Sequence, residues 1–194
     1  MLRVIICGAA SQDLREELIR YYSYRGKACY SYDYLTLLRT MYDNMETLLQ
    51  NEGFTVYDDD KPRRLCALYD MFSCYLVRTT QAAVKENTGR WQDLKMDFMT
   101  LIWGVPTEED LKTLSCADIV PTFRVLLRSD GSRVATEGHP LEVGFNDCAV
   151  SDIFDIVVDT DELTPEEMAN LIGDKLHDKL MTRLQNIEES VKQL

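Results

Sequence analysis

The sequence predicts an α/β protein built on a mainly parallel sheet. Three observations lead there. Short, nearly continuous apolar runs, suited to strands buried on both faces, alternate along the chain with longer segments whose apolar residues recur at helical spacing. No internal repeat or low-complexity linker interrupts that alternation. The 194 residues, 45% hydrophobic and 28% charged, are enough to bury a core in one domain without covalent staples.

Arg3 to Cys7 is apolar and rich in β-branched residues, the pattern of a central strand. Gly8 turns the chain, and Ser11 stands where a helix N-cap belongs. Leu14, Leu18, Ile19 and Tyr22 predict about four turns of helix, ended by Gly26. Ala28 to Tyr32 reads as a second short strand. Leu35, Leu38, Met41, Tyr42, Met45, Leu48 and Leu49 predict a helix over Tyr34 to Leu49, closed by Asn51 to Gly53. Phe54 to Tyr57 reads as a short strand and Asp58 to Asp60 as a turn. Pro62 fits the first turn of a helix that Leu65, Leu68, Phe72, Tyr75 and Leu76 carry into the 80s, with an end expected before Thr88-Gly89.

Phe98 to Trp103 is a strong strand. Pro106 is expected to open a helix with Glu108, Glu109 and Asp110 in its first turn, where negative charge complements the dipole. Thr122 to Leu127 is a third strong strand, and Phe154 to Val158 a fourth. Between them, Ser129 to Gly144 is polar, Gly-rich and broken by Pro140, a loop or lid. Thr164-Pro165-Glu166-Glu167 combines an N-cap threonine, proline at the first helical position and glutamate three residues after the cap. Met168, Leu171, Ile172, Leu176, Leu180, Leu184, Ile187 and Val191 then continue a helix almost to the end. It is longer than most globular helices, so its last part either packs on a partner or frays as a charged tail.

A net charge of −12 argues against a general nucleic-acid binder, because the phosphate backbone repels it, but leaves room for a small basic pocket. The six cysteines include no C-x-x-C pair and only two histidines accompany them, so a zinc site is not expected. Cysteines among apolar residues, with no recognisable leader or transit peptide, fit a reducing, cytoplasmic setting. No apolar run approaches the ~20 residues of a membrane span. Asp58-Asp59-Asp60 reads as a solvated turn rather than a cation site, and His139 and His177 lie too far apart to suggest a metal pair. Trp91 and Trp103 read as core or interface residues rather than a base-stacking platform. No Ser/His/Asp or Cys/His arrangement is legible.

In parallel sheets ligands bind at the carboxyl ends of the strands. The loop at Gly8, the loop after Trp103 and the segment around Gly138 would then face one crevice. The first of these occupies the place of a phosphate loop, G-x-x-x-x-G-K-[ST], in which the backbone amides and the lysine hold phosphate and the hydroxyl holds magnesium. Starting the pattern at Gly8 puts Asp13, Leu14 and Arg15 at the Gly, Lys and Ser/Thr places. Asp13, Glu16 and Glu17 also crowd the helix start, in the field a phosphate would use. Arg15 is the nearby cation. By itself this stretch reads more simply as strand, turn and helix without a ligand. A second constellation is Arg128, Arg133, Glu137, His139, Glu142 and Asp159, where arginines offer planar donor forks for phosphate. Its plain alternative is a solvated charged loop.

Taken together, the order of parts resembles the phage-type deoxynucleoside monophosphate kinases, within the P-loop kinase superfamily. Phe98 to Leu114 looks like that family's strand and acidic-anchored helix, and Thr122 to Arg128 like the strand before its lid. His139-Pro140-Leu141-Glu142 resembles the H-x-S-E lid element, with Leu141 in the serine place. Phe154 to Glu167 resembles the closing strand, turn and helix, and Arg63-Arg64-Leu65 the start of a substrate-side helix. The resemblance implies one domain over 1–194: a three-layer P-loop kinase-like fold with a mainly parallel sheet, a lid over about 129–150 and a long C-terminal helix over about 165–192. It implies nucleotide or phosphate binding by Gly8, Ser11, Gln12, Arg15, Arg64, Arg128, Arg133, His139 and Glu142, with Arg15, Arg128 and Arg133 as the catalytic cations of an active enzyme. ATP and Mg2+ would be its cofactors, and a phage protein would work in the host cytoplasm.

The departures are as informative. The loop lacks its lysine and hydroxyl residue, and Trp103 and Val105 stand where the family strand ends in Asp-x-Arg. Losing both loop groups should cost several orders of magnitude in rate, unless Arg15 or Lys27 compensates. The sequence therefore reads first as a degenerate, non-catalytic kinase-like protein with a binding, regulatory or assembly role, with a protein partner or a second copy meeting the C-terminal helix. The alternative is an active (deoxy)nucleoside monophosphate kinase with an altered loop. A third reading keeps nucleotide binding as a sensor without turnover.

Overall fold

The computed structural model describes residues 1–8, 10–55, 61–94, 97–116, 120–128 and 153–192. The segment expected as a lid, with Arg133, Glu137, Gly138, His139 and Glu142, lies outside the described residues, as does Asp58 to Asp60.

Among the described residues five parallel strands form the sheet: β1 (Leu2–Cys7), β2 (Ala28–Asp33), β3 (Phe98–Trp103), β4 (Thr122–Arg128) and β5 (Ile156–Asp159), in the order β2-β3-β1-β4-β5. β1 is central, with Ile5 opposite Ile102 on one side and Arg124 on the other. Val4, Ile5, Ile6 and Cys7 are fully buried because helices cover both faces. The pleat divides β1 between two cores. Leu2, Val4 and Ile6 pack with α1 (Gln12–Ser23) and α5 (Pro165–Lys192). Ile5 and Cys7 pack with α2 (Thr36–Asn51), α3 (Lys61–Asp93) and α4 (Glu108–Ser115). The expected three layers result. Among the described residues no helix is long and apolar enough to cross a membrane.

Most element types agree with the sequence, and several boundaries move. α2 starts at Thr36 rather than Tyr34, because Tyr34 and Leu35 are buried in its entry turn. Phe54 and Thr55 are not in a strand; the rest of that expected strand is outside the described residues. α3 runs through Gly89 to Asp93 instead of stopping before Thr88. One glycine costs a helix only about 1 kcal/mol, and here Arg90 pairs with Glu86 while Trp91 stacks on Phe98 at 6.1 Å. α4 is opened by Thr107, not Pro106: its Oγ1 accepts from the Asp110 amide at 3.2 Å. β5 begins at Ile156, since Asp155 is used to brace β4: its carboxylate accepts from the Arg124 amide at 2.8 Å.

The capping box at α5 forms as expected. The Thr164 amide donates to Glu167 Oε2 at 2.8 Å, and the Glu167 amide to Thr164 Oγ1 at 3.3 Å. α5 lies close against α1 at Gly173, where a Cβ would stand 2.2 Å from the Tyr21 ring. Every described residue from Met181 to Lys192 is exposed, although Arg183 still ties the helix to the body, donating to the Thr122 carbonyl at 3.3 Å and to Asp155 Oδ1 at 3.2 Å.

Candidate functional site

At the carboxyl ends of β1, β2 and β3 a polar cluster joins the start of α1, where a ligand was expected, to residues of β2 and α2. Gly8 makes the turn after β1 at φ +93°, and a Cβ there would stand 2.2 Å from the Leu127 carbonyl oxygen of β4. Only glycine permits both the backbone angle and the contact. Ser11 stands at the N-cap of α1. Ser11 accepts a hydrogen bond from the Leu14 amide at 3.1 Å, so its side chain takes one of the donors that a helix start offers an anion. Gln12 turns along its own helix and donates to Glu16 at 2.9 Å. Leu14, at the place of a phosphate-loop lysine, is 1% exposed and sits in the core between α1, α5 and the sheet.

Arg15 reaches across the strand ends. Its guanidinium donates to Asp33 Oδ2 at 2.6 Å and lies 5.4 Å from the centre of the Trp103 ring. Arg39 of α2 donates to the same oxygen at 2.9 Å, and Asp33 Oδ1 accepts from the Leu35 amide at 2.9 Å. Burial alone would raise the Asp33 carboxyl, but the Arg15 and Arg39 charges and the Leu35 amide together hold it below its ordinary value. Trp103 is fully buried and donates through Nε1 to Ser31 at 2.9 Å. Deeper in the adjoining layer, Asp110 accepts from the hydroxyls of Tyr34 and Tyr69, tying the entry of α2 and the body of α3 to α4. Burial pushes its carboxyl up, against those hydroxyl donors.

The other candidates fall in different places. Arg128, at the end of β4, makes two bonds to Asp159, at 2.6 and 3.1 Å, and both side chains are largely exposed. They border an open groove of about 630 Å3 with Asp161, Glu162 and Lys175. Arg64 stays in the α2–α3 layer, its guanidinium 5.9 Å from the Tyr42 ring centre. Lys27 cannot compensate for a missing loop lysine: it precedes β2 at the amino edge and pairs with Asp97 at 2.9 Å, at the other end of the sheet from Gly8. The described residues thus place Gly8, Ser11, Gln12 and Arg15 at one strand end, with Arg128 beyond Leu127. Sequence reading missed Asp33, Arg39, Asp110, Tyr34 and Tyr69. Asp33 is the last residue of β2, at the sheet's carboxyl edge, and no local sequence signal announces its pairing with Arg15 and Arg39. Among the described residues no group of acids, histidines and cysteines could hold a metal ion.

No family model and no curated protein matches the sequence. Solved structures do match. A gluconokinase from Sinorhizobium meliloti 1021 superimposes with a TM-score of 0.52 at 11% identity, over 94% of this chain and 97% of that one. The Mycobacterium tuberculosis APS kinase CysC in complex with AMPPNP and APS gives 0.51 at 14% identity, over 91% and 97%. The fold is that of the P-loop kinases. In a P-loop kinase the stretch after β1 carries the phosphate loop; here it carries an N-capping serine, a core leucine and an arginine bound to aspartate.

Proposed function

We propose that this chain is a P-loop kinase-like protein that does not transfer phosphate and acts by binding, as a regulatory or assembly protein. The start of α1 carries the reading. The side chain in the lysine's place is buried in the core, and the one in the hydroxyl's place is committed to Asp33 over Trp103. Phosphoryl transfer draws almost entirely on positioned cations, so their diversion removes most of its chemistry. The test is ADP release from ATP and Mg2+ with each deoxynucleoside monophosphate. The expected rate is no higher than that of the Arg15→Ala and Arg128→Ala variants. Robust ADP production that either substitution abolishes would establish the active kinase reading instead, which the second guanidinium at the cluster, Arg39, favours.

The assembly part rests on the end of α5. Leu180, Leu184, Ile187 and Val191 recur at alternating spacings of four, three and four residues, the seam of a two-stranded coiled coil. The last three of them are 46 to 64% exposed. A helical extension this short is marginal by itself in water. A second copy of the chain is the proposed occupant. Sedimentation should show a dimer that Leu184→Glu with Ile187→Glu converts to monomer; a monomeric parent protein overturns this part of the reading.

A further inference from the structure

The exposed stripe at the end of α5 continues the face that packs on the body. Ala169, Gly173, Leu176 and Leu180 follow one another at spacings of three or four residues, and Leu184, Ile187 and Val191 extend the same row. The helix is unbroken from Pro165 to Lys192. Ala169, Gly173 and Leu176 are buried, Leu180 packs at the margin of the core, and Leu184, Ile187 and Val191 are exposed. Arg183 fixes the first turn of the extension. It donates to Asp155 and to the Thr122 carbonyl, and its guanidinium lies 4.1 Å from the centre of the Phe123 ring. Along its whole length, therefore, the row points to the side of the helix on which the body lies.

That direction restricts how a second copy can lie on the row. Packed helices stand about 8–10 Å apart. A parallel partner seated on Leu184 to Val191 would also run beside Leu176, about 12 Å back along the helix. At a crossing angle of about 20° it would have moved away by only about 4 Å there, and Tyr21 and the sheet already fill that space. An antiparallel partner meets no such obstacle, because its own body lies beyond the free end of the first helix. Ile187 then faces the partner's Ile187, and Leu184 faces the partner's Val191. The end of the partner's helix comes up beneath Leu180, at the mouth of a cavity of about 290 Å3 that Leu2, Tyr21, Leu176 and Leu180 help to line. The apolar row and the hollow at its upper end are covered together.

We propose that the second copy docks antiparallel along α5, with the two-fold axis at Ile187, so that the strand-end clusters of the two subunits face away from each other. This orientation rests on the dimer reading of α5 and goes beyond it. The test places a ketone-bearing amino acid at His177 or at Glu188 of the full chain and attaches a spin label to it, leaving the native cysteines unmodified. Pulsed electron paramagnetic resonance then reads the distance between the two subunits' labels. With a rise of about 1.5 Å per residue, the His177 pair should stand about 30 Å apart and the Glu188 pair under about 20 Å. A charge exchange gives a second reading. Leu184→Glu and Val191→Lys should each weaken the dimer about tenfold or more, and the double variant should recover part of the loss, because antiparallel pairing sets the two opposite charges against each other. A dimer in which both label pairs lie under about 20 Å, or a double variant weaker than either single one, overturns the orientation and leaves the dimer standing. A monomeric parent protein overturns both.

Discussion

Two arginines stand at the carboxyl edge of the sheet, each held by an aspartate, and they differ in nearly everything else. Arg15 and Asp33 are 17% and 15% exposed in their side chains, stacked on a buried tryptophan and joined by Arg39. Arg128 and Asp159 are 54% and 68% exposed and bridge only the neighbouring ends of β4 and β5. Both arginines were candidates for phosphate. The first pair forms an internal lock at the start of α1. The second, with better two-pronged geometry, stays in water, where ion pairs contribute little. Hydrogen-bond geometry alone therefore does not rank the two; desolvation does.

The comparison breaks most completely at Gly8, which sets α1, and so Arg15, against the strand that ends in Arg128. Gly8→Ala puts a Cβ into the Leu127 carbonyl at an unfavourable φ. It should cost at least about 3 kcal/mol in urea unfolding, whereas Gly26→Ala, with nothing within 4 Å of its Cβ, pays only for backbone strain, about 1 kcal/mol. Next in size is Arg15→Ala, which leaves Asp33 half-buried with Arg39 and the Leu35 amide; about 2 kcal/mol of stability should be lost. The same lock has a pH signature. The folded-state pKa of Asp33 is depressed, so its contribution is present above the unfolded value near 4 and is lost as pH falls through the lower folded value. Unfolding free energy should fall between pH 5 and pH 3 more steeply in the parent protein than in Asp33→Asn. Smallest is Arg128→Ala, for which no measurable change in melting temperature is expected; a drop as large as that of Arg15→Ala would erase the difference between the two pairs.

Much of the fold was legible because its signals are local. β3 spans the expected Phe98–Trp103, since an uninterrupted apolar run has few other uses in a sheet covered on both faces. The α5 start was legible for a similar reason, because a capping box is closed within four residues. Boundaries slipped where a tertiary partner outweighed local propensity, as when Trp91 on Phe98 accompanied α3 past Gly89. The candidate site was half legible. Gly8 and the substituted positions Asp13, Leu14 and Arg15 could be named from the phosphate-loop pattern, but Asp33 and Arg39 could not, since their meeting with Arg15 requires β2 to be carried beyond β3.

The sequence by itself determined the alternation of strands and helices, the glycine turn after β1 and the absence of a lysine there. These depend on residues within a few positions of one another. Only the tertiary structure decided what Arg15 pairs with. The parallel order β2-β3-β1-β4-β5 brings Asp33, Trp103 and Arg15 from distant parts of the chain to one edge. A charge partly withdrawn from water must find its counter-charge wherever the fold, rather than the sequence neighbourhood, supplies one.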